Sequence, residues 1–431
     1  MLEHIFHLKE NDTTVRRELL AGLTTFATMA YVVVVNPRIL SESGMPVEGV
    51  LFATCVSAAL ATLVLGVWAN YPIALAPGMS LNAYFTYSIV MGRGVPWQTA
   101  LGVVFCSGVL FLLLTLTNVR ELIVNGIPDC LKYGTAAGIG LFIAFIGFRN
   151  ANIIVANPAT YVALGRVSDW HVILAATGLL IIASLMARGV GSAILIGIAA
   201  TALAGIPVGL TQWPSRFFSL PHPGGTLLKL DLRAAAKFGL GDLIFIFFFV
   251  DLFDNVGTLI GVCEEGGFMR DGKPPRASRA LLADAFGTIV GSLTGTSTVT
   301  SYIESAAGVA AGARTGLGNL AIAAFFLAAM FCSPLIAAIP SFATAPALII
   351  VGSLMCGCVA RVRWDNFTDA FPAFLTLVAT PLTFSIASGL SLGMISFTFL
   401  KVAAGKRREV SPLIWILTGV FLLRYAFLGI E

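Results

Sequence analysis

The sequence predicts an all-α polytopic membrane protein of fourteen spans, arranged as two inverted sets of seven with the third span of each set broken. Three observations carry this expectation. The chain of 431 residues is 57% hydrophobic and only 11% charged, with a mean hydropathy of +0.91, outside the range of water-soluble domains. Apolar stretches of about 17 to 25 residues, the length that crosses hydrocarbon as helix, recur from Leu19 to Val420 between short polar joints. Two oddly polar, Gly- and Pro-interrupted stretches, "YPIALAPGMSLNAYFTY" at 71–87 and "GSLTGTSTVTSYIESAAGVA" at 291–310, each come third in their set.

The elements follow in order. Residues 1–18 are polar and amphipathic and lack the apolar core and cleavage site of a signal peptide, so they read as a retained cytoplasmic N-terminus. The first set, 19–209, has apolar segments at 19–36, 50–69, 73–91, 97–116, 128–148, 171–187 and 191–209. A linker, 210–240, opens on the Pro-rich "WPSRFFSLPHPGG". The second set, 241–404, has segments at 241–262, 277–293, 294–311, 316–339, 344–359, 369–386 and 388–403. Residues 405–431 hold a basic joint and an apolar stretch near 411–429, expected to form an interfacial helix at the cytoplasmic face.

An odd number of spans per set makes the second set enter the membrane from the opposite side, which defines an inverted repeat. Basic residues support the orientation. Inside joints carry Arg16, Arg17, Arg120, Lys132, Arg188, the run "MRDGKPPRASR", Arg314, Arg361, Arg363 and "KRR" at 406–408, whereas outside joints near 40–48, 340–343 and 387–388 carry almost none. The linker is the exception, with Arg216, Lys229, Arg233 and Lys237 on the outside.

Composition also excludes classes. A net charge of +4 over this length reflects loop residues and gives no warrant for nucleic-acid binding. The seven Cys form no C-x-x-C pair and have no His cluster beside them, so neither a metal nor a disulfide framework is expected. No cofactor motif or catalytic constellation is present, and a transporter rather than an enzyme is expected. The four His fall at ends or in loops, leaving carboxylates to carry any proton coupling.

Ionisable groups at membrane depth cost about 2.5 to 3.5 kcal/mol each on insertion scales and are functional candidates for that reason. Four acids are expected there: Asp251, Asp254, Asp284 and Glu304. Asp251 and Asp254 lie three apart in "FIFFFVDLFDNVGTLIGV", and with Asn255 and Thr258 they put one polar stripe on an apolar helix. Glu304 lies in the second broken stretch near Thr298, Ser301 and Tyr302, and Asn82 offers an amide in the first. Matched broken segments point to a midplane binding site, because irregular backbone survives at that depth only where it lines a cavity. The Thr, Ser and Gly of the second stretch favour short extended backbone. Asp284 reads as a packing partner. Acceptors, an amide, hydroxyls and nearby aromatics suit a small, flat, uncharged ligand with several N–H donors.

At these residues the sequence resembles the nucleobase:cation symporter-2 family, in its Azg-like branch of hypoxanthine, adenine and guanine permeases. The resemblance rests on "RRELLAGLTTFATMAYVVVVNPRIL", "NYPIALAPGMSLNAYFTY", "FVDLFDNVGTLIGV", "DAFGTIVGSLTGTSTVTSYIESAAGVAAGARTGL" and "ATPLTFSIASG". It implies a purine nucleobase as substrate, a co-transported proton, alternating access in the plasma (inner) membrane and a homodimer. It also implies a core domain of spans 1–4 and 8–11, a gate domain of spans 5–7 and 12–14, and short antiparallel strands in spans 3 and 10 that meet at the substrate. By motif position Asn82, Asp251 and Glu304 become substrate-binding residues, with main-chain groups near Ser80 and Leu81 and from Ser301 through Tyr302 to Ile303. Asp254, Glu304 and Asn255 become the coupling and supporting groups. Family members often have Gly where this chain has Ser80, which leaves the choice among purines open.

Three other readings compete. Uracil, xanthine or urate transport within the same family is the nearest. Anion carriers share the seven-plus-seven architecture but are expected to place positive charge at the pocket. The pair "GLGD" at 239–242 and "PAL" at 346–348 resembles the motifs of intramembrane aspartyl proteases, but the second catalytic Asp such enzymes need, within a preceding span, is missing.

Overall fold

The computed structural model describes residues 2–117, 126–214, 216–220, 222–237, 241–269 and 274–427. Arg120, Arg270 and Lys273 of the inside joints, and Gly239 and Leu240 of "GLGD", lie outside the described residues.

The first segment is two helices, α1 (Val15–Met29) and α2 (Val32–Ser41), interrupted at Ala30 and Tyr31. Thr14 starts it by accepting the Arg17 N–H at 3.3 Å. Next come α3 (Val47–Trp68), strand β1 (Leu75–Pro77) running into α4 (Met79–Ala83), and α5 (Trp97–Leu116). From Tyr84 to Met91 the third segment continues past α4 as a π-helix. Then come α6 (Asp129–Asn150), a hairpin of β2 (Ile154–Asn157) and β3 (Tyr161–Leu164), α7 (Trp170–Ala187) and α8 (Ala193–Ala204). The second set begins with α9 (Gly241–Glu265) and α10 (Ala277–Thr294), followed by strand β4 (Val299–Ser301) and α11 (Ser305–Ala310). It closes with α12 (Gly318–Ala329), α13 (Ser341–Cys356), α14 (Phe367–Leu382) and α15 (Ile386–Ala403), and α16 (Pro412–Phe427) ends the described chain. Among the described residues nine helical stretches are long and apolar enough to cross a bilayer unaided. The third segment of each set is instead a strand followed by helix, in agreement with the Gly, Pro and hydroxyl residues that interrupt both.

Strands β1 and β4 come from different sets and pair antiparallel, Leu75 with Ser301, Ala76 with Thr300 and Pro77 with Val299. All six residues are buried. The ribbon is extended at both ends, with the Gly78 N–H on the Thr298 carbonyl at 2.9 Å and the Tyr302 N–H on that of Ala74 at 3.0 Å.

Helices pack in two groups. In one, α3 lies on α10 and α12, α1 on α12, and α5 on α9 and α10. In the other, α6 lies on α13 and α14, α14 on α15, and α7 on α8 and α13. Glycine sets the closest approaches, because lipid-embedded helices gain by contact of backbones more than by burial from water. A Cβ on Gly22 of α1 would strike the Gly318 carbonyl of α12, and one on Gly140 of α6 would strike that of Gly352 of α13. Gly318→Leu is therefore expected to reduce the yield of folded protein in mild detergent, overpacking of this kind costing about 1–3 kcal/mol. Gly419→Leu in α16, where an added Cβ meets nothing within 4 Å, should give wild-type yield. Equal yields from the two variants would count against the close approach.

Hydropathy gives no sign of the β2–β3 hairpin. It is mostly exposed and is turned by Asn157, whose side chain accepts from the Ala159 and Thr160 N–H groups at 2.8 and 3.2 Å. Helix α16 is held to α15 by Thr398 with Thr418 at 2.8 Å and Ser391 with Tyr425 at 2.5 Å. These bonds align it antiparallel to α15 over about two turns.

The expected census of intramembrane ionisable groups needs correction. Asp369 of α14 and Lys401 of α15 are also buried within helices, bonded to each other at 2.8 Å. Each stands near a segment end in sequence, where charge reads as a topology signal. Their pairing removes both from solvent.

Candidate functional site

Two polar clusters form around the β1–β4 ribbon. The first is built on residues that follow the strands. Ser80, in α4 just after β1, donates to Asp254 Oδ2 of α9 at 3.4 Å. Glu304, just after β4, accepts the Tyr31 hydroxyl at 2.7 Å, while its main-chain carbonyl takes a longer bond of 3.4 Å from Thr28. Asp254 also stands near Glu304. The break between α1 and α2 is what brings Tyr31 here, at the turn where the first segment passes the ribbon.

The second cluster braces β4. Asp251 is wholly buried, with Oδ2 3.5 Å from the Thr288 hydroxyl of α10. It interacts electrostatically with Asp284 and Asp254. Asn255, one turn on, accepts from the Ser301 hydroxyl at 2.5 Å and lies beside Asp284. Asp284, expected to be a packing partner, is buried beside them on α10.

The remaining expected residues divide. Asn82 is wholly buried in α4, and neither its Oδ1 nor its Nδ2 has a partner among the described residues. An orphaned, fully buried amide is costly unless something else completes its bonds. Leu81 is fully buried and Tyr302 nearly so, the Tyr302 hydroxyl donating to the Pro77 carbonyl at 2.5 Å. The Ile303 side chain is 51% exposed, so its contribution to a polar site is limited to main-chain groups.

Asp251 and Asp254, on one stripe of α9, have different hydrogen-bond partners. A spacing of three residues along a helix leaves the two side chains about 60° apart on one face, far enough for each to meet a different hydroxyl. Asp251 points toward Thr288 and Asp284, and Asp254 toward Ser80. Motif position makes Asp251 a substrate-binding residue; Asp254 is the acid that meets the Ser80 hydroxyl and stands near Glu304. Sequence reasoning did not single out Tyr31, Thr28 or Thr288. Of these, only Thr288 carried a local signal, its place four residues after Asp284 on the same helix face.

The sequence pattern of the Xan_ur_permease family, described as a permease family, matches residues 16–392. The guanine/hypoxanthine permease PbuO of Bacillus subtilis is 47% identical over 428 residues, covering 97% of this chain and 99% of that protein. The adenine permease AdeP of Escherichia coli is 42% identical over 429 residues, covering 99% and 96%. Among solved structures, the transmembrane domain of the bicarbonate transporter BicA of a cyanobacterium aligns with a TM-score of 0.64 at 15% identity, covering 86% of this chain and 97% of that one. SLC26A9 aligns with the same score at 10% identity, covering 91% and 66%. These two likenesses concern the fold alone. With sequence matched over nearly its whole length, the chain belongs to the Xan_ur_permease family of permeases.

Proposed function

We propose that this protein carries purine nucleobases, hypoxanthine, adenine or guanine, across the plasma membrane by proton symport, as a homodimer with its N-terminus in the cytoplasm. The observation that carries the substrate reading is the orphaned Asn82 amide in the same short helix as Ser80, with the Ser80–Asp254 pair and Glu304 as neighbouring acceptors. A purine presents both N–H donors and ring-nitrogen acceptors, which an amide and carboxylates complete together. Carboxylates would repel an anion rather than hold one. Relatives named as guanine/hypoxanthine and adenine permeases favour the same class.

The two packing groups supply the moving parts of this reading. The ribbon and helices α1–α5 and α9–α12 form the core that carries the ligand, and α6–α8 with α13–α15 form the gate against which it moves. Asp254 and Glu304 face the ligand, and Asn82 reads its ring edge.

Competition uptake tests the reading. Cells expressing the protein should accumulate labelled hypoxanthine or adenine, unlabelled purines should compete, and uracil and bicarbonate should not. A protonophore should abolish accumulation. Asp254→Asn is expected to lower uptake at least ten-fold at equal protein in the membrane, for loss of one charged hydrogen bond worth about 1.5–3 kcal/mol. Competition by uracil or xanthine alone would move the substrate to the neighbouring class, and wild-type uptake by Asp254→Asn would remove that acid from the site.

A further inference from the structure

On each outer edge of the β1–β4 ribbon one threonine bonds the backbone of the strand's first residue. Thr62 of α3 donates to the Leu75 carbonyl at 2.9 Å and accepts from the Leu75 N–H at 2.9 Å. Thr288 of α10 donates to the Val299 carbonyl at 3.1 Å and accepts from the Val299 N–H at 3.2 Å. Leu75 and Val299 each begin their strand, and α3 and α10 are each the second segment of their set. Both threonines are wholly buried. A two-stranded ribbon leaves one row of backbone groups unpaired on each strand, which is costly away from water. A hydroxyl answers both needs at once, since it donates and accepts.

The brackets differ in one respect. The Thr288 hydroxyl also stands 3.5 Å from Asp251 Oδ2, whereas the bonds of Thr62 are to Leu75. A hydroxyl has one hydrogen, so Thr288 cannot donate to the Val299 carbonyl and to Asp251 together. An ionised Asp251 draws that hydrogen, because bonds to a charged acceptor are roughly twice as strong as neutral ones. The Val299 carbonyl then loses its donor. A neutral Asp251 releases the hydrogen, and β4 is bracketed as β1 is. The acids facing Asp251 are Asp284 from α10 and Asp254 on its own helix, with Asn255 beside them tied to Ser301 of β4.

The geometry points to Thr288 as a positioning residue that passes the charge state of Asp251 to β4, and through Ser301 and Tyr302 to Glu304, while Thr62 is its static counterpart. This rests on the proton-symport reading above. Charge on Asp251 thereby changes how firmly the strand that leads to the ligand is held, with no contact between Thr288 and the ligand itself.

The test is initial uptake of labelled hypoxanthine across a pH series, with protein in the membrane quantified, for wild type, Thr288→Val, Thr288→Ser and Thr62→Val. Thr288→Ser, which keeps the hydroxyl, should follow the wild-type profile. Thr288→Val should flatten it, the ratio of uptake at acidic to alkaline pH falling towards one. Thr62→Val should raise KM and leave the profile unchanged. A wild type insensitive to pH and to a protonophore would overturn the symport reading itself. A pH-sensitive wild type with the same profile in Thr288→Val would overturn the role of Thr288 and leave symport standing. Should Thr288→Val fail to reach the membrane, Asp251→Asn, which fixes the neutral state with the bracket intact, must flatten the profile, and a wild-type profile there overturns the inference.

Discussion

Cells producing Glu304→Ala are expected to take up labelled hypoxanthine about 30-fold or more slowly than wild type at equal membrane abundance. The substitution removes the acceptor proposed for the ligand and also strands the Tyr31 hydroxyl, which donates to that carboxylate at 2.7 Å. Loss of a charged hydrogen bond together with an unsatisfied buried partner costs about 2–3 kcal/mol, and each 1.4 kcal/mol is about ten-fold in affinity. Tyr31→Phe separates the two parts, since it deletes the donor but leaves the carboxylate free for the ligand. Its expected loss is smaller, roughly five-fold, from one neutral donor worth about 1 kcal/mol. Uptake by Glu304→Ala within two-fold of wild type would remove Glu304 from the binding site.

The largest effect on stability is expected from Lys401→Met. The Lys401 ammonium lies 2.8 Å from Asp369 and 2.6 Å from Glu409. Asp369 is buried between α14 and α15, with Arg363 at 3.1 Å and the Asn366 amide at 2.9 Å as its other partners. Removing one partner of a buried pair leaves a charge unsatisfied, at a cost of about 3 kcal/mol where further partners remain. Glu409 sits outside the span and is exposed, and its bond to Lys401 holds its carboxyl below the usual range. Glu409→Gln should therefore change stability little, because solvent already screens that pair. The measurement is the unfolding midpoint of the purified protein in one detergent. A midpoint for Lys401→Met as high as that of Glu409→Gln would show that Asp369 does not depend on its buried partner.

How much was legible in the sequence follows from what each signal depends on. Hydropathy and segment length are local, so the segment order and the two broken stretches could be read directly, and the polar residues placed at depth in them could be too. Partners across the repeat are not local. Tyr31 and Glu304 are 273 positions apart, and within "MAYVVVV" a tyrosine reads as an ordinary membrane residue. Thr62 in "AALATLVLG" is similarly unremarked, because a threonine in a membrane helix commonly bonds its own backbone. The rotation of α9 was equally out of reach, for spacing gives the angle between Asp251 and Asp254 but not which neighbour each will meet. Asp369 and Lys401 carry no local signal, because their pairing depends on how α14 and α15 pack. The hairpin at 154–164 did leave a local trace, β-branched residues on either side of "NPAT", but a search tuned to long apolar runs passes over it.

The pairing of β1 with β4 has a consequence for how the protein is made. During synthesis the first strand emerges with the first half of the chain, when its partner from the second half does not yet exist. Its backbone groups cannot settle at membrane depth unpaired, since each unmet group there costs several kcal/mol. The third segment of the first set then reaches its paired state only when that of the second set arrives. A chain released early would present an open strand edge to other copies, so this seam depends on both halves of the chain being made.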